Sequence, residues 1–513
     1  MNPHRTSQSP LIKNVFKRPS MILALLFSAF FSLYAPLSTT LLANSTADPM
    51  TVSASISNHS QEVTDPSDPR TMTFSPPSFT PPKAERKVLS NGMILYLMED
   101  HELPLIRLEA MVRTGSIYEP ADKVGLAALT GTVMRTGGTG QQSGNEIDAM
   151  IEQMAIELSV GIGTDSGGAS LDVLKKDFDK GLSLFAEILI HPVFEEEKLR
   201  IAKNSVIEMI RRRNDRPSSI AGREFGKQIY GAEHPYAREA TEEGVRSIGR
   251  ADLIAFHKNY FAPNQLILGV TGDFDKKEMI GKIEKTFAGW KKKKVGLPKV
   301  PPVVERKEGG VYEILRPITQ TQIRIGHLGI KQDNPDFFAV SILDDILGNG
   351  GFISRLFRDV RTRQGLAYSV GTVFRPGNFE RGLFIAYGET RAETTHQAIS
   401  SIVDHIRKIR EEPVTDEELN RAKESFLNSF IFSFSSPAQI VSRQMSLEYY
   451  GLPSDFLERY RDNVVKVTKD DILRVAKTYL HPDRLVILVV GDEARFDRSL
   501  ATMGKVVQLQ LKP

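Results

Sequence analysis

Cysteine is absent from all 513 residues. No disulfide, thiolate nucleophile, cysteine-ligated zinc or lipidated cysteine is therefore available. The absence fits an oxidising compartment, where a stray thiol is a hazard. Histidine is scarce: the ten present are His4, His59, His101, His191, His234, His257, His327, His396, His405 and His481. No two stand within four residues of each other, so no helix offers two imidazoles on one face. Charge of one sign is lacking too, since 66 Lys and Arg against 63 Asp and Glu leave a net of +3. That balance excludes a global field of the kind that gathers nucleic acid or an anionic surface. The basic run 291–294 adjoins a proline-rich stretch and reads as solvated linker. Neither a G-x-S-x-G elbow nor the phosphate-cradling G-x-x-x-x-G-K-[ST] occurs.

What is present begins with an address. His4, Arg5, Lys13, Lys17 and Arg18 precede an apolar run over 21–33, and Ser45-Thr46-Ala47 offers a small-x-small cleavage pattern. This is the layout of a secretory signal peptide over 1–47. The alternative is an uncleaved anchor, because 21–43 carries no charge. Pro36 and the polar Ser38-Thr39-Thr40 favour cleavage. The expectation is an exported protein, periplasmic or in the cell envelope, with no stable membrane span after processing. Residues 48–84 are rich in Ser, Thr and Pro, lack apolar periodicity and read as a disordered lead-in.

The remainder repeats itself. His191-Pro192-Val193-Phe194 followed by Glu195-Glu196-Glu197 leads into a long helical pattern, as does Glu412-Pro413-Val414-Thr415 followed by Asp416-Glu417-Glu418. Ala262-Pro263-Asn264 opens a buried strand closed by Gly272-Asp273, and His481-Pro482-Asp483 opens one closed by Gly491-Asp492. The offsets are 221 residues (Pro192 to Pro413) and 219 (Pro263 to Pro482). A near-constant offset over that span implies a duplicated domain of about 220 residues rather than a short solenoid repeat. The halves are expected at 85–291 and 309–513, joined by a linker over 292–308 containing Pro298, Pro301 and Pro302. Strands and helices mix without regular βαβ alternation. That predicts an α+β class, with helices packed on largely antiparallel sheets.

The second half holds the densest motif: Gly348-Asn349-Gly350-Gly351, then Arg361 in 355–363, then Gly365-Leu366-Ala367-Tyr368-Ser369. Gly365 suits the end of a helix carrying Arg361 and the start of a strand carrying Tyr368. Asn334-Pro335 reads as the cap of the preceding helix, with Phe338, Ile342 and Leu343 on its apolar face. Taken singly, an Arg in a last helical turn and a Tyr on a strand are ordinary structural residues.

Taken together, the duplicated halves and this motif resemble the pitrilysin/insulinase family of zinc metallopeptidases, the inverzincins, which includes the processing-peptidase-like proteins. The resemblance runs from about Arg86 to the C-terminus. It implies two homologous α/β-sandwich halves forming a clamshell. In that family the first half carries H-x-x-E-H on a helix: two zinc-binding histidines, a glutamate base between them, and a later glutamate ligand. Here the corresponding segment starts Gly125-Leu126-Ala127, but Ala128 and Thr132 stand at the histidine positions and Gly131 at that of the base. The late glutamate position falls on Glu208, 76 residues after Thr132. One carboxylate without imidazoles does not hold zinc, so Glu208 is either a remnant or a helix-surface charge.

The resemblance also implies that Arg361 orients substrate carbonyls, that the Tyr368 hydroxyl donates to a tetrahedral oxyanion, and that the loop 348–351 contacts substrate. Some members of the family are split over two chains, one bearing zinc and the other the Arg/Tyr pair. This chain looks like the second kind. The expected reading is a non-zinc subunit that binds no cofactor itself, pairs with a homologous zinc-binding subunit and acts on peptides or unfolded segments. A catalytically inactive scaffold and a peptide-binding protein of the same fold are the alternatives.

Overall fold

The structure, a computed structural model, describes residues 80–512. The expected signal peptide, most of the lead-in and Pro513 lie outside the described residues.

Two six-stranded sheets organise the chain. The first is built from β1 (Glu85–Val88), β2 (Ile94–Glu99), β3 (Leu105–Val112), β4 (Glu157–Ile162), β5 (Gly167–Leu174) and β6 (Leu266–Gly272), in the order β1-β2-β6-β3-β5-β4. The second contains β7 (Gly310–Leu315), β8 (Gln320–Leu328), β9 (Ala367–Arg375), β10 (Leu383–Arg391), β11 (Val486–Gly491) and β12 (Val506–Gln508), in the order β12-β7-β11-β8-β10-β9. Five strands correspond one for one. In each half the first and last of the five pair in parallel (β2 with β6, β7 with β11), and the other pairings among them are antiparallel. The sixth strand differs: β1 enters antiparallel from the N-terminal side, and β12 enters parallel from the C-terminal side. Residues 291–309 between the sheets carry no helix or strand. The α+β expectation therefore holds, with two mixed sheets in two halves.

The helices repeat only in part. The first half has α1 (Leu126–Thr136), α2 (Gly144–Met154), α3 (Phe178–Ile190), α4 (Glu196–Arg211), α5 (Pro217–Tyr230), α6 (Glu242–Ser247), α7 (Arg250–Tyr260) and α8 (Lys276–Thr286). The second has α9 (Phe337–Asp344), α10 (Thr395–Glu411), α11 (Asp416–Phe432), α12 (Pro437–Tyr450), α13 (Tyr460–Lys466) and α14 (Lys469–Tyr479). The acidic starts read from the sequence open α4 and α11. Thr415 and Glu418 form a reciprocal capping box on α11, which satisfies two otherwise orphaned donors. On α4 the equivalent Glu195 instead turns its carboxylate to the Gly144 N–H, 2.8 Å away, and so ties α4 to the start of α2. The expected cap at Asn334-Pro335 sits slightly outside the helix. Asn334 Oδ1 accepts the Asp336 N–H at 2.8 Å, and α9 begins only at Phe337, because the side chain closes a local turn first.

One pair of helices is exchanged between the halves. Both open with proline, Pro217 and Pro437, and so lie 220 residues apart. From α5, Ile220, Ala221, Phe225 and Ile229 pack on Ile314, Leu328, Val486, Leu488 and Val490 of the second sheet. From α12, Val441, Met445 and Tyr449 pack on Tyr96, Met111 and Ile267 of the first. Each sheet thus has one face covered by a helix from the other half. Tyr449 adds polar ties by donating to the carbonyls of Asp165 (2.8 Å) and Val112 (3.2 Å). Among the described residues no helix is long and apolar enough to cross a membrane.

Candidate functional site

The segment that resembles a zinc helix is α1. It starts behind Gly125 in the left-handed region (φ 103°), with no side-chain cap of its own. The buried carboxylate of Glu119 takes over that role, accepting the N–H groups of Gly125 (3.1 Å) and Ala127 (2.9 Å). Burial pushes the Glu119 carboxyl above its ordinary range, although these two N–H groups pull it the other way. Leu126, Leu129 and Val133 face the core, whereas Ala128 and Thr132 lie exposed one turn apart on the outer face. Gly131 is buried against strand β4. A Cβ there would sit 2.8 Å from the Ile162 backbone N and 3.0 Å from the Gly161 Cα, closer than real Cβ atoms pack. No glutamate fits at that position unless α1 and β4 separate.

Glu208 stands on α4, with its side chain 60% exposed. Its Oε1 accepts from Arg211 at 2.8 Å, and Arg211 also binds Glu242. Among the described residues no group of three His, Cys, Asp or Glu could hold a metal ion. A methyl group, a lone hydroxyl and an already paired carboxylate do not fit zinc, so Ala128, Thr132 and Glu208 do not form a zinc site.

The second-half motif is assembled quite differently. Helix α9 passes into a π-helical turn, Asp345–Asn349, and then a 3₁₀ turn, Gly351–Ile353. Gly348 is buried flat against β9, where a Cβ would collide with the backbone N and hydroxyl of Thr372. Asn349 and Gly351 are exposed, and Gly350 is half-buried over Asp345. Strand β9 is the outermost of its sheet, and its margin is closed by a side chain. Asp344, fully buried, accepts the Phe374 N–H at 2.9 Å, in place of a neighbouring strand. Its Oδ1 has no hydrogen-bond partner among the described residues. Burial pushes the Asp344 carboxyl to about 6. Burial and then the charge of Asp344 push Asp345 to about 7, while Arg421 pulls the other way.

The stretch after the loop is pinned on both sides. Arg355 makes two 2.7 Å hydrogen bonds to the Glu418 carboxylate at the start of α11. A second π-helical segment, Phe357–Arg363, follows. Its Asp359 lies 2.6 Å from His405 Nε2 on α10 and accepts from Arg363 at 2.6 Å. Burial disfavours the Asp359 charge, but hydrogen bonds from His405, Gln364 and Arg363 outweigh it and hold the carboxyl below its ordinary range. Gly365 (φ +63°) then reverses the chain, with Leu366 N–H donating to Val360 O at 2.9 Å, and β9 starts at Ala367.

That reversal puts Tyr368 beside Arg361. The guanidinium carbon lies 5.0 Å from the Tyr368 ring centre, 4.5 Å from that of Phe357 and 5.8 Å from that of Phe352. Phe352 and Phe357 meet edge to face at 4.7 Å. Tyr368 is 75% exposed and Phe352 73%. Among the described residues no carboxylate lies within ion-pair distance of Arg361. Cation–π contact therefore holds the cation while its planar N–H edge keeps donors to offer. The sequence singled out Arg361, Tyr368 and the loop, but not Phe352, Phe357 or Asp344. Phe357 was findable, since it stands four residues before Arg361, the spacing at which helical side chains meet.

Comparison with known proteins gives the same picture in both halves. Residues 98–235 match the family model "Insulinase (Peptidase family M16)", and residues 247–426 match "Peptidase M16 inactive domain". The chain is 25% identical over 366 residues to a Bacillus subtilis protein named "Uncharacterized zinc protease YmxG", covering 70% of this chain and 86% of that one. It is 24% identical over 407 residues to the "Non-peptidase homolog YmxG" of Helicobacter pylori, covering 77% and 91%. The crystal structure of a peptidase M16 inactive domain from Pseudomonas fluorescens superposes with a TM-score of 0.72 at 28% identity, over 80% of this chain and 98% of that one. Two six-stranded halves, a metal-incompetent α1 and an intact Arg361–Tyr368 stack thus coincide with matches in both halves: the chain belongs to the insulinase family, peptidase family M16.

Proposed function

We propose that this chain is the non-zinc subunit of a two-chain peptidase and supplies the groups that hold the peptide and stabilise its oxyanion. The observation that carries this reading is the Arg361–Tyr368 stack, which is solvent-facing and free of any carboxylate partner among the described residues. A purely structural arginine gains most from a carboxylate within reach. This one is instead braced by rings, with its hydrogen-bonding edge unspent. Arg361 would hold substrate carbonyls, and the Tyr368 hydroxyl would donate to the carbonyl oxygen as it gains charge. A homologous zinc-bearing subunit would provide the metal and the attacking water, and the substrate would be a peptide or unfolded segment. Export to the periplasm or cell envelope, inferred from residues 1–47, sets where the two would meet.

The test is hydrolysis of a quenched fluorescent peptide library by the tagged chain recovered gently from its own cells, with and without a zinc chelator. Chelator-sensitive hydrolysis that collapses in Tyr368→Phe supports the reading. Absent hydrolysis, or hydrolysis indifferent to the substitution, refutes it and leaves an inactive scaffold or peptide-capturing role.

A further inference from the structure

The rings around Arg361 do more than brace it. Three aromatic side chains surround one guanidinium, but two of them, Phe352 and Tyr368, turn most of their surface to solvent. An exposed phenylalanine costs solvation free energy wherever it stands. Ile353 beside it is also exposed. The segment is nonetheless fixed rather than loose: Arg355 is clamped to Glu418, Asp359 to His405, and Arg421 donates to the Ile353 carbonyl at 3.1 Å. The apolar surface is thus held in place around a cation whose N–H edge is unspent.

That combination defines the ligand chemically. The guanidinium edge asks for an oxygen acceptor such as a backbone carbonyl, and the adjoining ring faces ask for an apolar or aromatic group next to it. An extended peptide offers both within one residue. The margin of β9 is closed from Thr372 to Phe374 by Gly348 and Asp344, so a peptide approaching this strand meets it at the Tyr368 end, beside Phe352.

Resting on the peptide-binding reading of Arg361 and Tyr368, we propose that Phe352 is a specificity-determining residue that selects peptides with a bulky apolar side chain beside the carbonyl held by Arg361. Phe357, packed edge to face beneath it, fixes the angle of its ring.

The test is direct binding to the full chain alone, by fluorescence anisotropy. Two labelled peptides of equal length and charge serve as probes, one with Phe and Leu at alternate positions and one with Ser and Ala there. The wild type should prefer the apolar peptide. Phe352→Ala should lower that preference about 3- to 10-fold, weakening the apolar peptide more than the polar one, and Phe352→Leu should retain most of it. The ring is exposed, so thermal melting should be unchanged in both variants. Equal binding of the two peptides by the wild type, binding of neither, or an undiminished preference in Phe352→Ala would each overturn the proposal. Chelator-sensitive hydrolysis that depends on Tyr368 would persist in that event, so loss of the selectivity and loss of the subunit reading are separately visible.

Discussion

Gly131 faces the backbone of Ile162 so closely that a methyl group on it would lie 2.8 Å from the amide nitrogen. The position that the family resemblance assigns to a general base is therefore a packed contact between α1 and β4.

The first consequence concerns reversion. Ala128 and Thr132 are exposed, so histidines are accommodated there. Gly131→Ala alone should destabilise the fold by about 1–3 kcal/mol, as overpacking does, with Gly131→Glu worse. The triple variant Ala128→His, Gly131→Glu, Thr132→His should melt below the wild type and retain no stoichiometric zinc after dialysis, measured by differential scanning calorimetry and elemental analysis. A triple variant of wild-type stability carrying one zinc per chain would show that α1 is not closed on β4.

Arg361 and Tyr368 lead to the opposite expectation, loss of function without loss of stability. Tyr368→Phe removes one hydroxyl from an exposed ring and keeps the stack on Arg361. In the proposed two-chain peptidase turnover should drop by about 10²–10³, while the melting temperature of this chain stays within the error of the wild type. Arg361→Lys, which loses the planar edge and the stacking, should raise KM more than it lowers kcat. Equal damage to stability and turnover would mark the pair as structural.

The buried carboxylates under the glycine loop give a pH dependence with a definite sign. Asp344 is raised from an ordinary value near 3.8 to about 6 in the folded chain. The unfolded chain therefore releases this proton first as pH rises, and the contribution to stability falls between about pH 4 and pH 6. Above pH 6 the penalty for Asp344 is fully present, on the order of 3 kcal/mol. Asp345, raised to about 7, extends the fall upward. Asp344→Asn removes the buried charge, so its gain over wild type should be largest near pH 8 and vanish below pH 4. The wild-type profile also contains the opposite slope of the buried His257 and His327, both depressed to about 4, which lose stability as pH falls from 6.5. The difference between the variant and wild-type profiles cancels the histidines and leaves Asp344 with the part of the Asp345 shift that its charge causes, and urea unfolding at several pH values measures it. A flat difference would mean that Asp344 is not desolvated.

The sequence tells much about this fold because its signals are local. The Pro turns and Gly-Asp stops repeat at nearly fixed offsets, and the Arg361–Gly365–Tyr368 spacing is short enough for one reversal to bring cation and ring together. What it does not tell is non-local. The closure of Gly131 depends on β4, which lies 30 residues further along. Asp344 looks like an ordinary helix-end aspartate until Phe374 N–H is found on it. The exchange of α5 and α12 leaves no trace in either amphipathic pattern, because an apolar stripe specifies that a helix is covered but not by which sheet.

That exchange has its own measurable consequence. If each half covered its own sheet, a core lesion would melt one half and leave the other folded. Phe225 is 1% exposed, yet it stands on a first-half helix and fills the second half's sheet face with Ile314 and Val490. Phe225→Ala should cost about 3–5 kcal/mol through lost contact and the cavity left behind. The loss should be felt in both halves, since α5 is tethered at both ends to the first. Met445→Ala on α12 should do the same from the other side, at about 2–5 kcal/mol. Calorimetry should then show one transition moving down as a unit in either variant, and hydrogen exchange should show increased opening of both β6 and β11. Two separated transitions, or exchange confined to one sheet, would mean that the swapped helices ride on the sheets without coupling them.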